Sequence, residues 1–172
     1  PVDVYVGGTE HATRHLLYAR FWHKFLYDQG AVSTTEPFMR LVNQGLILAS
    51  DGRKMSKRWG NVINPDEMVG EFGADAFRLY EMFMGPFTQS IAWNTDGVVG
   101  TRRFVEKVWK LAQKVTDGAV SSQAIINSTE TTIQKVTEDI ADFKFNTAIS
   151  TLMILVNSLE KEPTIASEVW EI

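Results

Sequence analysis

Leu46-Ile47-Leu48-Ala49-Ser50-Asp51-Gly52-Arg53-Lys54-Met55-Ser56-Lys57-Arg58-Trp59-Gly60 joins a compact apolar run to a loop holding four cations, a hydroxyl and two glycines. The apolar run, residues 46–49, fits an interior strand, and the basic loop would hang from that strand's C-terminal end. Glycine relaxes the steric limits on φ and ψ, so Gly52 and Gly60 can serve as hinges, while Lys and Arg heads offer charge and donors to phosphate oxygens. Asp51 can tie back one of the cations. This is the composition of a mobile phosphate clamp, and also that of a solvated basic turn.

The segments around the loop place it in an α/β setting. Val2, Val4 and Val6 are β-branched and precede Gly7-Gly8, so a buried strand runs into a glycine turn. Leu17, Phe21 and Phe25, widened by Leu16, Trp22 and Leu26, predict a long helix over 10–27 that ends at Gly30. Residues 36–44 are read as a shorter helix. Downstream, Asn64-Pro65-Asp66-Glu67 is a helix-start signal, Gly73 stops that helix, and residues 74–84 form the next.

Gly85-Pro86 is the expected domain boundary, dividing residues 1–85 from residues 86–172. Beyond it the hydrophobic period is helical. Phe104, Val108, Leu111 and Val115 form one stripe with Val105 and Trp109; Ile133, Val136 and Ile140 begin another; Phe145, Ile149, Leu152, Val156 and Leu159 form a third. Residues 117–127 read as a linker. The expected fold is therefore α/β followed by all-α, the second part an antiparallel helical bundle.

The 172 residues carry a formal net charge of −4 and 44% hydrophobic content, enough for a core and incompatible with a uniformly basic nucleic-acid coat. Any RNA contact must rest on local basic patches. The absence of cysteine removes disulfides, thiolate zinc sites and cysteine nucleophiles. No secretion signal or bilayer-length apolar run is present in the sequence, so a cytoplasmic location is expected. Because residues 1–6 read as a strand without any lead-in, the chain is expected to begin inside a larger polypeptide.

Several constellations bear on chemistry. Gly8-Thr9-Glu10-His11 occupies a strand-to-helix turn, the place where α/β folds form nucleotide sites, and Glu10 suits ribose hydroxyls. A purely structural reading, with Gly8 making the turn and Glu10 capping a helix, stands beside it. His11 and His15 with Glu10 lack the HExxH order of a zinc helix, and no metal site is expected. Arg103, Lys107, Lys110 and Lys114 recur at helical spacing and form a candidate RNA-binding face, although such faces are commonly plain solvated surface. Trp59 and Trp93 are open between stacking and core roles, whereas Trp109 is expected inside by its place in the stripe.

Lys54-Met55-Ser56-Lys57-Arg58 resembles the KMSKS signature of class I aminoacyl-tRNA synthetases, with Arg58 where the signature ends in serine. Asp51-Gly52-Arg53 before it, Gly60-Asn61-Val62-Ile63-Asn64-Pro65 behind it, and Gly73-Ala74-Asp75 with Arg78 extend the likeness. Tyr5-Val6-Gly7-Gly8-Thr9-Glu10-His11-Ala12 and His15-Leu16-Leu17-Tyr18-Ala19-Arg20-Phe21-Trp22 resemble the leucyl members of that family in particular. Trp93 to Trp109 and Asp142 to Leu159 add to it.

The resemblance implies the C-terminal part of a Rossmann-like catalytic domain followed by an anticodon-binding helical domain. It implies a leucine-tRNA ligase that uses ATP with Mg2+ as substrate, leucine and tRNA(Leu), holds no tightly bound cofactor and works as a monomer. Lys57 would act on the ATP phosphates with Lys54 as a second cation and Ser56 as a hydroxyl donor. Gly8, Glu10 and His11 would lie at the nucleotide. The family's HIGH-type signature has no counterpart here, so the isolated chain is expected to form no leucyl-adenylate. A noncatalytic tRNA-binding helical module of the same ancestry is the alternative.

Overall fold

The computed structural model describes residues 1–171, which fall into two compact units: Pro1–Ile47 with Thr88–Ile91, and Leu48–Phe87 with Ala92–Ile172. The division does not follow Gly85-Pro86. The helices on either side of that break pack together, and one compact unit therefore runs across it.

In the first unit, strand β1 (Val2–Val6) leads through a 3-10 turn (Thr9–Thr13) into helix α1 (His15–Asp28), and strand β2 (Phe38–Val42) pairs parallel to β1. The register aligns Val2 with Phe38, Val4 with Arg40 and Val6 with Val42. A parallel pair needs a long crossover, and α1 supplies it. Residues 36–44 are thus not the short helix their periodicity suggests. Pro37 favours an extended residue before it, and the ladder to β1, which begins with the Val2 N–H on Pro37 O at 2.9 Å, takes up the backbone groups.

The expected interior strand at 46–49 reduces to β3 (Ile47–Leu48), facing β4 (Ile91–Ala92). Within the first unit the Ile91 N–H donates to Leu46 O at 3.0 Å; within the second the Trp93 N–H donates to Leu48 O at 2.8 Å.

No side chain described in the first unit is fully buried. Val2, Val4 and Val6, expected inside, are exposed, and so are Leu17, Phe21, Trp22, Phe25 and Leu26 on α1. Two paired strands present too little surface to cover either set. What order the unit has comes from a local aromatic cluster, in which Tyr5 stacks on His15 at 5.3 Å, shares a 2.9 Å hydrogen bond with its Nδ1, and packs on Phe38 at 4.7 Å. The loop after α1 is pinned by His23 Nε2 on Thr34 O at 2.7 Å and by Glu36, which pairs with Arg20 and Lys24. Hydrogen bonds from those two cations lower the Glu36 carboxyl to about 2.

The second unit carries the core. Asn64 caps helix α2 (Pro65–Phe72) through the Asp66 N–H at 3.1 Å, with Pro65 at the first helical position as its sequence signal requires. Gly73 separates it from α3 (Ala74–Phe83), and Asn94 caps α4 (Thr95–Leu111). Phe77, Tyr80, Trp93 and Val98 form one buried cluster, flanked by Met55, Ile63, Met68, Phe72 and Met84. Trp93 is therefore a core residue, its indole N–H satisfied by Thr95 Oγ1 at 3.1 Å. Thr101 is fully buried because its hydroxyl reaches Ala76 O and Val98 O, both at 2.9 Å, joining α3 to α4.

Leu111, Ile125, Val156, Leu159 and Ile165 form a second cluster among α4, α5 (Gln123–Ala141), α6 (Phe145–Leu159) and the strand pair β5 (Val115–Thr116) and β6 (Ile165–Ala166). Three expectations are corrected here. Val115 lies past the end of α4, in a parallel pair with Ile165 that sequence patterning does not reveal. Trp109 is 78% exposed, not interior. The buried face of α5 runs through Ile125, Thr129, Thr132 and Asp139, not through Ile133 and Ile140, which are exposed. Buried polar groups are tolerated there because they are satisfied: Thr129 Oγ1 bonds Ile125 O at 2.9 Å, and Asp139 accepts from Lys135 and from Thr147 at 2.8 Å. The third stripe is buried as expected at Ile149, Val156 and Leu159. The presumed 117–127 linker ends earlier, at the Ser122 cap of α5.

Among the described residues no helix is long and apolar enough to cross a membrane. Ile165, 1% exposed, is the most enclosed member of the second cluster. Ile165→Ala is expected to lower unfolding stability by about 2–5 kcal/mol. Val120→Ala, at a 93% exposed position, should change it by less than about 0.5 kcal/mol. Urea titration of both variants checks this, and equal midpoints would contradict the placement of the core.

Candidate functional site: a clasped basic loop

The loop opens as a hairpin. Leu48 and Lys54 face each other in an antiparallel bridge, the Ala49 N–H donates to Arg53 O at 2.8 Å, and the Gly52 N–H closes the turn on Ala49 O at 2.9 Å. A 3-10 turn over Lys57–Trp59 follows, capped by Gly60. Gly52 and Gly60 hold φ of 76° and 63°, so glycine at both positions answers a demand for left-handed backbone.

Two contacts that the sequence reading did not single out hold the loop to its unit. Met55 is half-buried against the Phe77, Tyr80, Trp93 and Val98 cluster, and Ile63 anchors the far side in the same cluster. Asn61 clasps the loop across its base: its Oδ1 accepts the Ser56 N–H at 2.8 Å, and its Nδ2 reaches Lys54 O at 3.5 Å. An apolar residue between cations and an asparagine just past a glycine were the available signals.

The charges divide into tied and untied. Asp51 pairs with Arg53 at 2.6 Å and also accepts its backbone N–H at 3.0 Å, and these bonds lower the Asp51 carboxyl below its ordinary value. Asp51 thus takes back one cation, as expected. Lys54 and Lys57 are exposed, and neither ammonium has an ion pair or hydrogen bond among the described residues. Ser56 Oγ accepts the Arg58 N–H at 3.3 Å, which leaves its hydroxyl proton free to donate. Trp59 is 58% exposed, with the guanidinium carbons of Arg53 and Arg58 at 5.4 and 5.5 Å from its ring centre. Two unpartnered ammoniums and a free hydroxyl proton on a tethered loop can bind an oxyanion.

At the other candidate position, Gly8 follows β1 and precedes the 3-10 turn. Its φ of −67° is open to any residue, but a Cβ there would overlap the Glu10 carboxylate, which would have to move aside. The backbone conformation at residue 8 does not itself demand glycine. Glu10 lies in the first turn of that 3-10 segment, so the electrostatic reading of it stands beside the nucleotide one. His11 Nδ1 is enclosed without a partner, whereas His15 is spent on Tyr5. No cluster of metal-ligating side chains occurs among the described residues.

The helical stripe divides too. Lys107 Nζ reaches Asn157 at 3.0 Å and Glu160 at 2.9 Å, and Lys114 Nζ donates to Glu160 O and Glu162 O at 2.7 and 3.0 Å. Both cations secure the C-terminal end of α6, where carbonyls lack helical partners. Arg103 and Lys110 have no ion pair among the described residues. On another side of this unit, α3, α4, α5 and α6 line an apolar cleft of about 940 Å3 that includes Trp109 and Leu152. Burial pushes the Glu81 carboxyl there above its ordinary value.

Residues 1–94 match the family model of class I tRNA synthetases for isoleucine, leucine, methionine and valine, more than half of the chain. The chain belongs to the class I tRNA synthetases. A crystal structure of Agrobacterium radiobacter K84 agnB2 LeuRS, in a ternary complex with tRNA and LeuAMS, superposes with a TM-score of 0.84 at 37% identity over 92% of this chain. Mycobacterium tuberculosis methionyl-tRNA synthetase bound by methionyl-adenylate superposes with a TM-score of 0.70 at 18% identity over 91% of the chain, a likeness of fold. This synthetase chain spans 23% of the length of the first and 32% of the second.

The clasp can be tested without any substrate. Asn61→Ala removes the acceptor of a half-buried amide, a loss of about 1–2 kcal/mol locally. Hydrogen exchange at the Ser56 amide should accelerate about 5- to 30-fold, while Asn61→Asp, which keeps the acceptor, should leave it nearly unchanged. Unaltered exchange in Asn61→Ala would show that the loop does not depend on this bond.

Proposed function

We propose that this chain is part of a leucine-tRNA ligase and that its basic loop acts on the phosphates of ATP. The observation that carries the reading is the division of charge: the arginine nearest the turn is neutralised by Asp51, while Lys54 and Lys57 remain unpartnered on a backbone fixed by Met55 and Asn61. The identity of 37% to the Agrobacterium LeuRS over 92% of the chain supports leucine as the amino acid.

In the proposed first step, a leucine carboxylate oxygen attacks the α-phosphorus of ATP. The new O–P bond forms as the bridge to the β-phosphate breaks, giving leucyl-adenylate and pyrophosphate. Negative charge gathers on the departing pyrophosphate, and a fixed cation aimed there stabilises the transition state more than the bound substrate. Lys57 is assigned that role, with Lys54 as a second point charge and Ser56 donating its hydroxyl proton. Mg2+ enters as the counter-ion of the ATP substrate. Gly8 is assigned to the ribose side of the nucleotide; Glu10 accepts from the ribose hydroxyls, and His11 stands beside it.

In the second step the leucyl group passes to tRNA(Leu). Residues 1–85 form the C-terminal part of a Rossmann-like catalytic domain in this reading, and residues 86–172 an antiparallel, anticodon-binding helical bundle. Arg103 and Lys110 are its available tRNA contacts, with Lys107 and Lys114 bracing α6. The enzyme is assigned to the cytoplasm as a monomer without a tightly bound cofactor.

Lys57→Ala in the complete synthetase should slow ATP-pyrophosphate exchange by about 100- to 1,000-fold, with the apparent affinity for leucine changed by less than about threefold. Exchange at the unmutated rate would remove Lys57 from the mechanism. No His-x-Gly-His sequence occurs in the 172 residues. The isolated chain is accordingly expected to give no exchange above background in the same assay, and measurable turnover by it would overturn that expectation.

A further inference from the structure

Phosphate binding leaves the most exposed apolar group of the loop unexplained. Trp59 presents an indole, 58% exposed, from a backbone fixed by its own N–H on Ser56 O at 3.0 Å and by the Gly60 cap. The guanidinium carbons of Arg53 and Arg58 lie over the ring, 5.4 and 5.5 Å from its centre. Arg53 is held in place by Asp51, and two residues before the ring the Lys57 ammonium is unpartnered.

A 58% exposed indole with two guanidiniums over its ring, and one ammonium two residues before it, is suited to an unpaired nucleotide. The base extends the stack of indole and guanidinium, and Arg58 can take a neighbouring phosphate. We propose that Trp59, with Arg58 beside it, is a stacking platform for an unpaired base of single-stranded RNA. This inference deepens the reading of the loop as a nucleotide-binding element and rests on it.

The choice of RNA over the adenine of ATP follows from the chemistry of the triphosphate. If Lys57 grips the terminal phosphates, the adenine of the same molecule lies at the opposite end, and a ring two residues from Lys57 is left for a base from a second molecule. The helical stripe competes poorly for this role, since Lys107 and Lys114 are committed to α6.

The test uses the 172-residue chain and the variants Trp59→Ala, Trp59→Phe and Lys57→Ala. Binding of a fluorescein-labelled single-stranded RNA hexamer is followed by anisotropy, and binding of ATP and of inorganic tripolyphosphate by calorimetry. Trp59→Ala should weaken the hexamer about 5- to 150-fold, Trp59→Phe by less than about threefold, and neither should move tripolyphosphate. Hexamer binding that is absent in the unmutated chain, or equal in Trp59→Ala, overturns the platform. Loss of hexamer and tripolyphosphate together in Trp59→Ala overturns it as well, showing that the ring only braces the loop. Weakened ATP with unchanged hexamer would assign the ring to adenine and overturn the RNA proposal. Tripolyphosphate affinity unaffected by Lys57→Ala would instead sink the phosphate role of the loop, an outcome read independently of the Trp59 arms.

Discussion

Met55 packing against Phe77, Tyr80, Trp93 and Val98 is the contact on which the basic loop depends. Cations repel one another, and a loop carrying four of them would otherwise spread into solvent. A methionine between Lys54 and Ser56 buries part of an apolar side chain worth about 1.5–3 kcal/mol when fully enclosed, and so fixes the middle of the segment. Ile63 does the same beyond Gly60, and the Asn61 amide ties the two ends of the stretch to each other. The charged heads on either side of Met55 are then displayed by a backbone that has little freedom to collapse.

The same constraint explains which cations stay free. Arg53 sits next to the turn, where Asp51 can reach both its guanidinium and its backbone N–H. Lys54 and Lys57 have no carboxylate within such local reach. A comparable partition operates on α4 and the 3-10 turn after it (Ala112–Lys114), where Lys107 and Lys114 meet the end of α6 and Arg103 and Lys110 do not. Spacing alone gave all four the same standing, because a helical period reports which residues share a face and not what lies opposite that face.

The two units differ in how far their apolar residues find cover. In the second, Thr101, Tyr80 and Asp139 show the usual rule that enclosed polar groups are hydrogen-bonded. In the first, α1 and β1 carry valines and aromatics that no described neighbour encloses. The chain spans less than a third of the length of either synthetase it was compared with.

Much of the local structure was legible from the residues. The strand before Gly7, the helix start at Asn64-Pro65, the break at Gly73 and the stripe on α6 all rest on short-range preferences of backbone and side chain, which act wherever the residues occur. The basic loop and its two lysines were legible for the same reason, as chemistry concentrated in ten residues. Tertiary structure alone decided that 38–42 is a strand, since ladder pairing overrides a helical period. It alone placed Trp93 inside and Trp109 outside. It turned the buried face of α5 towards its threonines and Asp139, whose polar groups become tolerable only once a carbonyl, Lys135 or Thr147 is in reach. Sequence carries the energy of neighbours along the chain, including the nearby partners of Thr129 and Asp139; which face is covered depends on segments distant in sequence, and that is fixed only when the chain has folded.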